Sequence, residues 1–104
     1  MSELANKAIE ILREGGWVQG TLSTSSGKHC LVGALYAAAG ESLDHGTFSS
    51  ISAYARMRAL PLERILAKRL GMEAWEWNDG VAENVDEVIY ELKLAGEELD
   101  LREA

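Results

Sequence analysis

Three short stretches carry the residues with chemical potential: Gly16-Trp17-Val18-Gln19-Gly20, Gly27-Lys28-His29-Cys30-Leu31-Val32-Gly33-Ala34, and Trp77-Asn78-Asp79. Cys30, the only cysteine, leads them. A thiol in the first turn of a helix sits at the positive end of the helix dipole, which lowers its pKa and favours the thiolate nucleophile. His29 and His45 supply bases, Asp79 or Asn78 an orienting group, and Gln19 a donor for an oxyanion. The catalytic reading is therefore a cysteine-dependent hydrolase or transferase built on Cys30, His45 and Asp79.

The same residues also support a plainer reading. Trp17 and Trp77 suit a core or its rim, each indole N–H finding an acceptor. Gln19 and Asn78 can satisfy backbone groups in turns, Asp79 can cap a turn, and Cys30 behaves as a small buried hydrophobe. On this reading Trp17, Gln19, Gly20, Trp77, Asn78 and Asp79 form a contact surface, and the protein binds another protein without catalysis. A homo-oligomer is the third reading.

Metal and cofactor chemistry find little support. One cysteine and two histidines cannot close a structural zinc site without carboxylates. Asn78-Asp79-Gly80 fails as a calcium loop, because aligning its glycine places Trp75 where the first carboxylate belongs. No phosphate-binding glycine loop, nucleophile elbow or dinucleotide fingerprint is present, so no cofactor is expected.

Taken together, the three stretches resemble a family of small uncharacterised proteins, a domain of unknown function, from actinobacteria and their bacteriophages. That pattern pairs a Trp-x-Gln-Gly turn, a Cys-Leu-x-Gly-Ala-Leu helix start and an Asn-Asp before the last helix. Here only Thr21 to His29 separate the turn from the cysteine, which leaves little room for a lid. The resemblance implies a bacterial or phage origin, with a host factor as partner in the phage case, and no biochemical activity. The order Gln, Cys, His, Asn is also that of papain-like thiol hydrolases, but those carry the histidine on a sheet and no strand pattern exists here.

Composition narrows the remaining classes. A chain of 104 residues suits one domain, and an apolar share of 47% suits a globular core. A lone cysteine favours a reducing cytoplasm. The opening Met-Ser-Glu-Leu lacks the basic and apolar runs of a signal peptide, and no apolar run reaches membrane-spanning length. A net charge of −7 opposes direct nucleic-acid binding. The charge is also polarised. From 51 to 71, Arg56, Arg58, Arg64, Lys68 and Arg69 stand against Glu63, a balance of +4, whereas from 72 to 104 eleven acids face Lys93 and Arg102, a balance of −9. Such polarity suits two solvated helix faces that keep the protein soluble, or an acidic C-terminal surface that docks on a basic partner or mimics DNA.

Periodicity predicts an all-α domain of about five short helices over 1–104. A first helix runs from Ser2 to Glu14 and stops at Gly15-Gly16. A second runs from His29 to Ala39, and its small residues Gly33, Ala34, Ala37 and Ala38 place it at the centre with another helix close against Gly33. A third begins near Ser49 and stops at Pro61, where a fourth begins and runs to Gly71. Met72 to Glu83 reads as a loop or short extended piece. Asn84 and Glu87 then form a capping box that opens the last helix.

Overall fold

The computed structural model describes residues 2–40 and 52–103, and the chain there is helical as expected. Five helices follow in order: α1 Glu3–Gly15, α2 Leu31–Ala38, α3 Ala53–Leu70, α4 Ala74–Gly80 and α5 Val85–Glu103. Among the described residues there are no strands, only isolated bridges from His29 to Trp17 and to Ser23. No helix among them is long and apolar enough to cross a membrane.

Capping residues set the ends much as the sequence suggests. The Ser2 hydroxyl accepts from the Ala5 amide at 3.5 Å, and Gly16 closes α1 by donating to the Leu12 carbonyl at 3.0 Å. The Asn84 side chain accepts from the Glu87 amide at 3.0 Å and opens α5. Each contact satisfies a helix-end group that has no partner within its own helix.

α2 is the centre of the packing. Seven of its eight residues are buried, and it contacts α1, α3 and α4. α5 packs against both α1 and α3. The Tyr36 hydroxyl hydrogen-bonds to the Glu63 carboxylate and ties α2 to α3. Burial, reinforced by that carboxylate, holds the Tyr36 phenol well above its ordinary pKa.

Several predicted boundaries are corrected: α2 starts at Leu31 with Cys30 as its N-cap, not at His29, and α3 starts at Ala53 with Ser52 as its N-cap, not near Ser49. Residues 53–70 form one helix through Pro61, where two helices meeting at that proline were expected. Proline removes one intrahelical donor and crowds the carbonyl four residues back. Here Pro61 and Met57 both lie on the solvent side, so the Met57 carbonyl can turn to water. Burial of Ala55, Ala59, Leu62, Ile65 and Leu66 on the opposite face holds the helix together. The expected loop at 72–83 contains α4.

The neighbour of Gly33 is also different. What a Cβ at Gly33 would meet first is backbone of the loop, not a helix: it would run into the Leu22 carbonyl. The close helix contact is elsewhere, where Gly96 of α5 meets the Ala5 methyl of α1. Gly33 is thus required so that the 17–30 loop can lie down on α2. The Cys30 amide donates to the same Leu22 carbonyl at 3.1 Å and pins the loop there.

Candidate functional site

The chemically distinctive residues converge around Asn78, which is completely buried. Its Oδ1 accepts from the Trp17 indole Nε1 at 2.6 Å and from the Leu31 amide at 3.0 Å. Its Nδ2 donates to the Val18 carbonyl at 3.2 Å and to Asp79 Oδ1 at 2.9 Å. A primary amide has two donors and two acceptor lone pairs, so all four are committed. One side chain on α4 thereby joins the 17–30 loop to the start of α2.

The neighbouring residues complete a clasp. Because the Ala82 amide turns back to the Trp77 carbonyl, the Asn78 carbonyl has no helical donor. Gln19 Nε2 supplies one at 2.9 Å and also donates to the Ala82 carbonyl at 3.1 Å. Gln19 therefore caps the C-terminal end of α4 from 59 residues away. The Gly20 amide donates to Asp79 Oδ1 at 2.9 Å. Gly20 has φ +85, a left-handed conformation that suits glycine and aims this amide at α4.

Cys30 is the N-cap of α2, and its Sγ accepts from the Gly33 amide at 3.2 Å. The helix start thus has its first donors occupied, the Leu31 amide by Asn78 and the Gly33 amide by the cysteine itself. Burial pushes the Cys30 thiol up, and the nearby Asp79 charge adds to that, outweighing the backbone amides that pull it down. The thiol is thus poised in the opposite direction from a nucleophile. His29 Nδ1–H donates to the Gly27 carbonyl at 3.0 Å, and its half-buried position lowers its pKa.

The structure therefore brings together Trp17, Gln19, Gly20, Asn78 and Asp79, with Cys30 beside them. Trp77 is directed into the core. His45 lies outside the described residues. Both donor hydrogens of Gln19 are engaged by carbonyls, and Asn78 has no atom left for an imidazole. A surface groove of about 520 Å³ lies elsewhere, between Ser2–Leu4, Arg58, Pro61 and the end of α5, and shares no residue with this cluster.

One residue outside the sequence-derived set is prominent. Trp75 is 47% exposed on the solvent side of α4, two positions from the inward Trp77. Met72 and Val81 beside it in sequence are also exposed, and residues 72–83 carry the exposed acids Glu73, Glu76, Asp79 and Glu83 with no base. The sequence signal was the Trp-Glu-Trp spacing itself, in which only a helix turns one indole in and the other out.

No curated protein and no solved structure matches the chain. The model of DUF6197, a family of unknown function, matches residues 1–98. The chain therefore belongs to the DUF6197 family.

Proposed function

We propose that this chain is a non-catalytic protein-binding module that engages a basic segment of its partner through the α4 corner. The observation that carries this is Trp75, a large indole left in solvent on a helix anchored at its C-terminal end through Asn78 and Gln19, with four exposed acids close to it in sequence. Tryptophan dominates many interfaces because it buries much surface at little conformational cost. A lysine or arginine over its face gains cation–π attraction, and the surrounding carboxylates steer that cation inward. The buried thiol, the fully engaged Asn78 and the committed Gln19 amide donor favour contact at Trp75 over chemistry at Cys30.

The test is capture from bacterial lysate by the native chain and two variants, read by mass spectrometry, with the contact segment mapped by cross-linking. Native protein should retain a partner through a basic segment, and rising salt should weaken the complex. Trp75→Ala, and separately Glu73→Lys with Glu76→Lys, should lose it. Capture unaffected by all of these changes would remove the α4 corner from consideration.

A further inference from the structure

We infer that the α3/α5 face is the interface of a two-fold homodimer. The first observation is the distribution of exposed apolar side chains. α1 sorts its faces, with Ala5, Ala8, Ile9 and Leu12 inside and Glu3, Lys7, Glu10 and Arg13 outside. α3 and α5 do not. Besides their buried stripes, α3 exposes Tyr54 at 66% and Met57 at 73%, and α5 exposes Tyr90 at 59% and Leu101 at 78%. Large apolar side chains gathered in solvent on two adjacent helices, among charges, mark a protein-interaction surface.

The second observation is charge. α3 carries five bases and Glu63, a balance of +4, while α5 carries seven acids against Lys93 and Arg102, a balance of −5. The two helices pack side by side, linked by Arg69 and Glu91 at 3.1 Å. A foreign acidic segment laid over both would be repelled by α5, and a foreign basic one by α3. A second copy carries the complementary pair. Turned by a two-fold rotation, it places its acidic helix on the basic one and its basic helix on the acidic one, the self-complementarity that a closed dimer requires. At physiological salt the screening length is about 8 Å, so these local charges outweigh the net repulsion between two acidic chains.

The monomer also fixes a register. Arg69 pairs with Glu91, while Arg58 and Pro61 share a groove with Leu99 and Glu103, so α3 and α5 run antiparallel. A two-fold axis parallel to the helices leaves height along them unchanged. It sets Met57 near Leu101 of the second copy and Arg64 near its Glu97, and each contact occurs twice. This dimer is argued without Trp75 and does not depend on that reading.

Sedimentation equilibrium of the whole chain over a wide concentration range tests it. A reversible dimer is expected. Met57→Asp and Leu101→Asp should each give a monomer with an unchanged circular dichroism spectrum, since both side chains stand in solvent. Arg64→Glu and Glu97→Arg should each weaken association about tenfold, because one exposed ion pair is reversed at two equivalent places. The two together should restore it to within about threefold. A monomer up to millimolar concentration, a dimer indifferent to both aspartates, or open-ended growth with concentration would overturn the interface. Charge changes without effect, or no restoration in the pair, would overturn the α3-on-α5 arrangement.

Discussion

Replacing Asn78 with alanine tests the clasp directly. The substitution leaves the Leu31 amide, the Val18 carbonyl and the Trp17 indole without their partner. A buried polar group left unpaired costs about 1–3 kcal/mol. Leu31 is fully buried and should incur the upper part of that range, whereas the half-buried Val18 and Trp17 can recruit water and incur the lower part. The sum is about 3–5 kcal/mol, a large fraction of the roughly 5–15 kcal/mol that holds a domain of this size together. Urea unfolding followed by tryptophan fluorescence should show the midpoint falling by about 2–3 M, given a slope of about 1.5 kcal/mol per molar. Asn78→Asp gives a second reading. It keeps both acceptor contacts, loses both donors, and sets a carboxylate against Asp79 Oδ1. Its penalty should grow as pH rises, because the two facing carboxyl groups can share a proton in acid and lose it in base. A loss below about 0.5 kcal/mol for Asn78→Ala would refute the reasoning, because orphaned buried groups cannot cost so little.

Three further substitutions probe the frame. Gly33→Ala should destabilise by about 1–3 kcal/mol or more in thermal melting, because its methyl meets the Leu22 backbone; a gain in stability would show that the loop does not lie there. Asn84→Ala should cost about 0.5–2 kcal/mol by removing the acceptor for the Glu87 amide, and an unchanged midpoint would move the start of α5. Pro61→Ala should stabilise by about 1–3 kcal/mol, the restored helical bond outweighing the added freedom of the unfolded chain; a loss would mean that the ring packs in a way its exposure does not suggest.

Local signals were legible where local physics decides. Ser2, Gly16 and Asn84 mark helix ends because capping involves residues three or four apart, and the run of small residues in α2 marked the centre. Pro61 misled because its cost is local while its compensation, the burial of Leu62 and Ile65, is tertiary. α4 was missed because seven residues give too short a period to read. The helix is held by Asn78 and Gln19, whose partners lie 47 to 63 residues away along the chain. The same separation explains the candidate site. The residue types announced a cluster, but whether Asn78 and Gln19 face a ligand or each other's backbones depends on contacts that spacing does not encode. Trp75 stayed unmarked because its exposure follows from a helix the sequence did not reveal.

The central claim is that the chemistry-bearing residues form an internal frame, and the titration of Cys30 in the native protein tests it most directly. Burial holds the thiol above its ordinary value. As pH rises past the unfolded thiol's pKa of about 8.5, the unfolded state ionises first and native stability should fall, a slope that Cys30→Ala should reduce. The rate of alkylation, measured against pH, should be slow in the native state at neutral pH, rise only above the ordinary thiol range, and become fast on denaturation. Rapid native alkylation with an apparent pKa well below about 8.5, moving when His45 is replaced by alanine, would contradict the account and restore Cys30 as a nucleophile.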